Sequence, residues 1–474
     1  MMGKQPTQRL RKASGRWLRQ VKHAVSGKTL EHGGYQGIRW HLDFPSPQQP
    51  VWLTPSGWVV QGWVLLPAHL SYLANEVRLV AQWVSAFELR HPLSLDRPDV
   101  IKEVLQEKAE RHPQARCGFR FTVPRHLATF TLSLFVADEC IAVEQVAMPE
   151  VGEEEAPEAQ IKVLEGKQGW LFLDNDTNAS VDQYCGRLAL TSAGIAAWQH
   201  YLTGLHQLAE QVGAKRAMLV APSKESVMGP RYHPYPEGTG GPMHQVMSLA
   251  EASEVIHPVA ALSALGDDAF IVTDTHWSHH GALTAAKMLG EALGLDKSAL
   301  EKTFAADKYH VRKLPGDLGS KLAPPRECEV TVLRSFSYAK YRYFDNGLPN
   351  FGRLLVLAND KALLPGTCLI FGSSSSYSMF SYVCRLFQHV VFVHSAGSLD
   401  PELIKAVRPD YLVVQTNARF VVQVPVLEQS LLQLINEKRA RLGAEEQAVV
   451  DKRQVPAKPN DALLRKLNLT PWLV

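Results

Sequence analysis

Apolar and polar residues alternate over short segments in the first third of the chain. Between Tyr35 and Met148 these segments show the two-residue period of half-buried strands, and turn residues separate them. A helix-like segment at 100–112 interrupts the series. We therefore predict a small antiparallel β-sandwich in this part of the chain. Its predicted strands are 51–53, 57–66, 77–84, 118–123 and 129–136.

The pattern changes after the acidic, proline-containing segment that begins at Pro149, which we interpret as a linker. Amphipathic helices then alternate with short apolar runs, a pattern typical of a parallel sheet flanked by helices. Because open parallel sheets bind ligands at the carboxyl ends of their strands, the polar residues after these runs are site candidates. The predicted helices are 191–212 and 280–295, and the predicted strands are 217–222, 367–371, 389–393 and 411–414.

Two segments of the sequence together carry the parts of a serine nucleophile and its base. Asp274 and His276 are two residues apart in a predicted turn, and Ser374 follows an apolar strand and Gly372. A serine hydroxyl is a weak nucleophile until an adjacent base accepts its proton, and a carboxylate can orient that base. The helix predicted at 377–387 would begin beside Ser374 and offer backbone N–H groups to an oxyanion.

Other interpretations apply to the same residues. The four serines at 373–376 are also compatible with a flexible loop or a helix cap, and Asp274 with a capping role. A buried strand before the serines and an amphipathic helix after them favour a strand–turn–helix elbow. The remaining alternative is a metal site, although no matching motif for a further ligand occurs elsewhere in the sequence. Its ligands would come from Asp274, His276, His279 and His280.

Composition and charge limit the classes of function. The 474 residues are 46% hydrophobic and 20% charged, as in soluble globular proteins, and a net charge of +3 is too small to indicate nucleic-acid binding. Residues 1–32 are basic, with apolar residues at roughly helical spacing, which fits either an amphipathic helix on an anionic membrane surface or a solvated arm. The sequence has no apolar run typical of a signal peptide and none long enough to span a membrane, and its six cysteines are scattered. We therefore expect a cytoplasmic location.

Several motifs between about residues 163 and 419 resemble, in order, those of the alginate O-acetyltransferases. The resemblance is to the SGNH hydrolase-like domain of the AlgX/AlgJ group, and it covers a little over half of the chain. The Asp-x-His-Trp block is the most specific of the motifs. They lie at 166–172, at Tyr184 with Gly186, and at 222–224, 274–278, 315–319 and 372–374.

The resemblance implies an α/β fold, an SGNH-like parallel-sheet sandwich whose acid–base pair precedes the serine in a permuted motif order. It implies Ser374 as the nucleophile, His276 as the base and Asp274 as the partner of the base. The implied enzyme is an O-acetyltransferase that modifies a saccharide or a cell-envelope glycan precursor through an acyl-enzyme. Candidates for oxyanion or substrate contacts are Ser375, Asn359, Gln415, Asn417, Arg419, Lys224 and Trp277.

The expected partners are a saccharide or glycan acceptor and an acetyl donor, such as acetyl-CoA, that acts as a substrate. We expect peripheral contact with the inner membrane surface, and neither a tightly bound cofactor nor nucleic acid. A carbohydrate esterase and a catalytically inactive glycan-binding or assembly protein are the alternative functions. The expected organisation is a basic arm (1–32), a β-sandwich for carbohydrate or partner binding (33–150), a linker (151–162), an acyltransferase domain (163–440) and a flexible tail (441–474).

Overall fold

A computed structural model of the chain describes residues 27–30, 33–45, 53–54, 57–148 and 163–473. The chain divides into two compact units, residues 1–160 and 161–474. This division falls within the predicted linker, which lies outside the described residues. Most of the predicted basic arm also lies outside them, so its membrane-surface contact stays a prediction.

The N-terminal unit contains two antiparallel sheets. In the first sheet β4 pairs with β2 and β7, and β1 and β3 extend it; in the second the order is β6-β5-β8-β9. Side chains of both sheets form one buried core, which confirms the predicted sandwich. The strands are β1 Lys28–Thr29, β2 Arg39–Phe44, β3 Leu53–Thr54, β4 Gly57–Leu65, β5 Val77–Gln82, β6 Phe87–Pro92, β7 Gly118–Val123, β8 Thr129–Val136 and β9 Glu139–Ala147.

The helix expected at 100–112 is much shorter than the sequence suggested. A turn of α-helix (α1, Pro98–Val100) continues into the π-helical turn Ile101–Leu105, which ends where Gln106 adopts a left-handed conformation with φ of 57°. Two 3₁₀ segments, Gly33–Tyr35 and Ala68–Glu76, complete the unit.

A seven-stranded sheet, in the order β14-β13-β21-β19-β20-β18-β17, is the centre of the second unit. The first five strands are parallel, as predicted. Beyond β20 the sheet continues with β18 and β17, each paired antiparallel with its neighbour. Separate hairpins form from β10 with β11 and from β15 with β16. The strands are β10 Val163–Glu165, β11 Leu171–Leu173, β12 Leu188–Leu190, β13 Lys215–Ala221, β14 Val255–Ile256, β15 Tyr309–Leu314, β16 Cys328–Leu333, β17 Arg342–Asp345, β18 Leu354–Ala358, β19 Leu364–Gly372, β20 Phe387–His394 and β21 Tyr411–Asn417.

Helices surround this sheet, and their ends follow local capping signals. The longest, α3, begins where the Thr191 hydroxyl accepts the N–H of Gly194 at 3.2 Å, and it ends at Gly213 in a left-handed conformation. The helices are α2 Ser180–Tyr184, α3 Ser192–Val212, α4 Lys224–Tyr232, α5 Pro242–Met247, α6 Val259–Ser263, α7 His279–Ala292, α8 Lys297–Phe304, α9 Gly316–Gly319, α10 Ser376–Leu386, α11 Pro401–Val407, α12 Leu431–Ala440, α13 Ala444–Arg453 and α14 Ala462–Lys466.

Strand direction decides which loops share an edge of the sheet. Ala221 at the end of β13 is in register with Asn417 at the end of β21, and Gly372 at the end of β19 is in register with His394 on β20. These carboxyl ends therefore lie along one edge. The antiparallel strand β18 ends at Ala358, in register with His389 near the start of β20, so it ends at the opposite edge.

The prediction of a flexible tail from residue 441 is wrong. Helices α13 and α14 form in this segment, and the backbones of Val455 and Asp345 exchange two hydrogen bonds of 2.8 and 3.0 Å. Apolar side chains of the tail are buried, so it is part of the second unit. These side chains are Val450, Leu464, Leu467, Leu469 and Trp472. No helix among the described residues combines the length and the apolar character that a membrane span requires.

Candidate active site

The turn between β19 and α10 presents Ser374 at the carboxyl edge of the sheet. Strand β19 ends at Gly372, and α10 begins at Ser376, so the chain reverses within three residues. A Cβ at Gly372 would lie 2.5 Å from the Ser376 hydroxyl and 2.6 Å from the ring of Phe392, so only glycine allows this close packing. Ser374 is partly exposed, whereas Ser373 and Ser376 are buried.

A buried amide network holds the turn from below. The Gln415 side-chain oxygen accepts hydrogen bonds from the backbone N–H and the hydroxyl of Ser373 and from the hydroxyl of Ser376, at 2.7 to 2.9 Å. The Asn417 side-chain oxygen accepts from the hydroxyl of Ser375 at 2.7 Å. Because each of these serines is held by the neighbouring strand β21, the hydroxyl of Ser374 is the one directed elsewhere.

Asp274 and His276 lie in a loop between Ala269 and Ser278, immediately before α7. The loop closes through a hydrogen bond from the Ser278 N–H to the Ala269 carbonyl at 2.9 Å, and the Ser278 hydroxyl then caps α7. The predicted elements at this position are therefore confirmed: a turn carries the carboxylate and the imidazole, and a helix follows.

Lys224 holds this loop against strand β11. Its buried ammonium group donates to the carbonyls of Ile271, Val272 and Asp274 at 2.7 to 3.0 Å, and to that of Leu171 at 2.7 Å. Burial lowers the pKa of Lys224 to about 7, and nearby carboxylates oppose that change. With four carbonyl acceptors around it, the amine is a structural donor for the loop that carries Asp274.

The imidazole of His276 lies between a serine and a carboxylate. Its Nε2 is 3.0 Å from the Ser374 Oγ, and its Nδ1 is 2.8 Å from the Asp274 Oδ1. In the tautomer with hydrogen on Nδ1, the imidazole donates to Asp274 and accepts from the serine hydroxyl. The structure thus brings together the three residues for which the sequence suggested catalytic roles.

Asp317 is a second carboxylate beside His276, which the candidate residues did not include. Its Oδ2 is 3.6 Å from the His276 Nδ1, and its backbone N–H donates to the Asp274 Oδ2 at 2.9 Å. Its Oδ1 accepts from the N–H of Thr275 at 2.7 Å, and its Oδ2 from the Thr275 hydroxyl. The motif at 315–319 contained this residue, but nothing in its spacing placed it next to His276.

The electrostatic environment keeps Asp274 ionised. Burial alone would raise the pKa of Asp274, but its hydrogen bonds with His276 and the charge of the imidazole lower that pKa to about 2. Burial would lower the pKa of His276, but the hydrogen bond to Asp274 and the charges of Asp274 and Asp317 outweigh burial and raise it. Burial and the charge of Asp274 raise the pKa of Asp317. An imidazolium at His276 is therefore stabilised when it forms.

A small depression opens beside the imidazole. Its lining includes four of the candidate residues: Lys224, Ser375, Asn417 and Arg419. The guanidinium of Arg419 lies 3.6 Å from the Asp176 carboxylate and 4.8 Å from the ring of Phe420, and its side chain is 27% exposed. A substrate in this depression would contact the imidazole and the serine turn together.

Three other candidates do not line this depression. Trp277 is buried, and its Nε1 donates to the Ser375 carbonyl and the Ser378 hydroxyl at 3.2 and 2.7 Å, which links the histidine loop to the serine turn. Gln415 is buried beneath the turn, as described above. Asn359 is a wrong candidate, because it follows β18, the strand that ends at the opposite edge of the sheet.

The four-residue metal site considered from the sequence is not assembled. Within the described ranges, the carboxylate and imidazole atoms close enough to share an ion belong to Asp274, His276 and Asp317. His279 instead lies beside the hydroxyl of Tyr382, and the ring of His280 lies 4.6 Å from that of Tyr309. The Asp274 and Asp317 oxygens already accept the hydrogen bonds that shape the loop, so these groups act as parts of one hydrogen-bond network.

Comparison with known families finds a match over part of the second unit. Residues 163–378, just under half of the chain, match the family model of the SGNH hydrolase-like domain of the acetyltransferase AlgX. This match confirms both the resemblance inferred from the motifs and the predicted fold class. A search of curated proteins found no match.

Three of the solved structures that are similar to the chain are described here by their sequence identity, coverage and TM-score. The O-acetyltransferase domain of Pseudomonas putida AlgJ is 16% identical, with 62% of this chain and 100% of that one covered and a TM-score of 0.33. Bacillus cereus PatB1 with a sulfonyl adduct is 10% identical, with coverages of 58% and 98% and a TM-score of 0.41. Pseudomonas aeruginosa AlgX is 14% identical, with coverages of 56% and 64% and a TM-score of 0.34.

Proposed function

Since residues 163–378 carry an SGNH hydrolase-like domain of the acetyltransferase AlgX type, we propose that the protein is an O-acetyltransferase that modifies a saccharide. The observation that carries this proposal is the position of His276, with one nitrogen 3.0 Å from a serine hydroxyl and the other 2.8 Å from a carboxylate. This geometry meets the requirement for a nucleophile, a general base and a group that orients the base.

In the first half-reaction the Ser374 Oγ attacks the acetyl carbonyl of a donor ester or thioester. The hydroxyl proton passes to the His276 Nε2, and the ionised Asp274 stabilises the imidazolium. The bond between the acetyl carbon and the leaving group breaks, and the leaving group takes the proton from His276. Acetyl-CoA is a donor of the required chemistry, and an acetyl ester of Ser374 is the intermediate.

In the second half-reaction a hydroxyl of the saccharide replaces the leaving group. His276 accepts the hydroxyl proton while the sugar oxygen attacks the acetyl carbon, and the same proton then returns to the Ser374 oxygen as it departs. The products are an acetylated saccharide and free enzyme. Water in place of the sugar would give hydrolysis, so transfer depends on how well the site binds a saccharide.

The start of α10 supplies donors for the negative charge that develops on the acetyl oxygen. The backbone N–H groups of Ser374 and Ser375 have no hydrogen-bond acceptor among the described residues. They lie in the turn before Ser376, where the first N–H groups of a helix lack internal partners and the helix dipole favours negative charge. These two groups are our proposed oxyanion donors.

A fluorophosphonate probe tests the nucleophile. We expect covalent labelling of the wild-type protein and no labelling of Ser374→Ala, because the hydroxyl that His276 activates is gone. Ser373→Ala is the matched control, since its hydroxyl contacts Gln415 and Asn417 instead of the imidazole, and it should still be labelled. Labelling of Ser374→Ala at the wild-type level would contradict the proposal, and a wild-type protein inert to the probe would favour a glycan-binding function.

A further inference from the structure

Glu225 is a buried carboxylic acid that the proposed mechanism does not use. It is the second residue of α4, where a carboxylate is favoured by the helix dipole, and it is only 5% exposed. It lines the same depression as His276, Ser375 and Arg419. A carboxyl group therefore faces the place where an acceptor must approach the acyl-enzyme.

The carboxyl group of Glu225 lacks a side-chain partner within the described part of the chain. Its hydrogen bond is with its own backbone N–H, and its nearest cations, Lys224 and Arg419, interact with it only through their charge. Lys224 directs its ammonium to four carbonyls, and Arg419 lies nearest to Asp176. A carboxyl group has two oxygens and can accept several hydrogen bonds, so a ligand hydroxyl that enters the depression can add a hydrogen bond to Glu225.

A larger depression adjoins the first and is suited to a long ligand. This second depression has a volume of about 390 Å³, and Ser180, Ser223 and Arg419 line both depressions. Its volume lies within the few hundred to about 1,000 Å³ typical of small-ligand sites. Hydroxyl, amide and imidazole groups such as those of Ser226, Gln183 and His257 line it. These groups complement sugar hydroxyls.

The charges around the first depression disfavour an anionic acceptor. Besides Glu225, the carboxylates of Asp176, Asp274 and Asp317 lie at or near its lining, against the two cations Lys224 and Arg419. Acidic side chains therefore outnumber basic ones here, which is less favourable for a carboxylate or phosphate than for an uncharged ligand. A neutral polyhydroxyl ligand meets no such penalty.

We propose that Glu225 accepts a hydrogen bond from a hydroxyl of a neutral saccharide acceptor and so orients another hydroxyl of that saccharide toward His276. The remainder of the saccharide lies in the second depression. This inference rests on the proposed acetyl transfer and adds the substrate class and the residue that selects it. Glu225 is a positioning residue, and acetylation of Ser374 does not need it.

The test uses the full chain with p-nitrophenyl acetate as donor and separates acylation from transfer. The acceptors are methyl α-D-mannopyranoside, chitotetraose and methyl glucuronoside. We expect the wild type to acetylate the neutral acceptors in preference to the glucuronoside. In Glu225→Gln the ratio of transfer to hydrolysis should fall about tenfold or more, through a higher KM for the neutral saccharide. The reason is that the amide oxygen of glutamine accepts a weaker hydrogen bond from the sugar hydroxyl than a carboxylate oxygen does. The initial release of p-nitrophenol, which reports acetylation of Ser374, should fall much less than transfer does.

The matched control is Glu291→Gln, an exposed carboxylate on α7, which should behave as the wild type. An unchanged ratio of transfer to hydrolysis in Glu225→Gln, or a wild-type preference for the glucuronoside, would overturn the inference. Two other results would instead contradict the proposed function: hydrolysis by the wild type without transfer to any of these acceptors, or p-nitrophenol release that is the same in the wild type and in Ser374→Ala.

Discussion

His276 faces two carboxylates, and their contributions can be separated by experiment. Asp274 makes the hydrogen bond, whereas Asp317, 3.6 Å from the same nitrogen, acts through its charge and raises the pKa of the imidazole. A general base must be unprotonated, so activity should rise with pH through the pKa of His276. Asp317→Asn removes a charge that raises this pKa, and the acidic limb of the pH–rate profile should move to lower pH.

The profile of kcat/KM against pH, measured with p-nitrophenyl acetate, checks this prediction. Asp268→Asn, an exposed carboxylate ahead of the histidine loop, serves as the control and should leave the limb in place. A limb that stays in place in Asp317→Asn, or moves to higher pH, would show that Asp317 does not set the basicity of His276.

At the residue scale, the sequence predicted side chains whose roles are local and missed those whose roles depend on tertiary contacts. The two-residue spacing of Asp274 and His276 and the glycine before the serines are visible in a linear pattern. The approach of Asp317 to His276 comes from the docking of α9 on the loop, which the sequence does not show. Asn359 was misassigned because the direction of β18 cannot be inferred from its apolar residues.

At the scale of elements, the docking of α9 depends on Gly316. Its φ is +66°, and a Cβ there would lie 2.4 Å from the Thr273 carbonyl oxygen, in the loop that carries Asp274. Gly213, at the end of α3, has a similar φ of +71° but open space around it. Gly213→Ala should therefore cost only the strain of a left-handed residue, about 1–2 kcal/mol of unfolding free energy.

Gly316→Ala should cost roughly 1–3 kcal/mol more than that control, since a backbone oxygen must move, and it should reduce activity because Asp274 and Asp317 shift together. Urea denaturation of both variants, with the rate of p-nitrophenyl acetate hydrolysis, measures the two effects. Equal destabilisation with full activity in both variants would mean that the contact between α9 and the loop is not needed.

Buried strands were the elements easiest to predict, because β13, β19, β20 and β21 are apolar on both faces. Strands with few buried residues were missed. In β9, for example, only Ile141 and Val146 are buried, and three positions are polar or acidic. The helix expected at 100–112 failed because its charged residues stay largely exposed and Gln106 ends the helical turn early. The local sequence pattern therefore predicted fully buried strands better than partly exposed ones.

At the scale of the whole molecule, the segment after residue 441 belongs to the folded second unit. Adjacent valines on α13 test this: Val450 is 3% exposed, and Val449 is 42% exposed. Val450→Ala should lower the free energy of unfolding by roughly 1–2 kcal/mol through the loss of two buried methyl groups, and Val449→Ala by much less. Denaturation curves that coincide for the two variants would contradict the packing of the tail.

The tail was not predicted because its buried residues are few and irregularly spaced in a charged segment, so no helical or strand period identifies them. Its helices form through contacts with β17, where the Arg453 carbonyl accepts from Arg342 at 3.0 Å, and through burial of Trp472. Fold class and the position of the site, in contrast, follow from an alternation of helices and strands that extends over most of the second unit.

Ser374 carries the acetyl group between donor and acceptor in the reaction that we propose. The most direct measurement is mass spectrometry of the peptide that contains residues 373–376, after brief reaction with p-nitrophenyl acetate and acid quenching. We expect one added acetyl group on Ser374, which is absent in Ser374→Ala and strongly reduced in His276→Ala. An acetyl group on another residue, or an unmodified peptide from protein that is turning over the ester, would contradict the proposal.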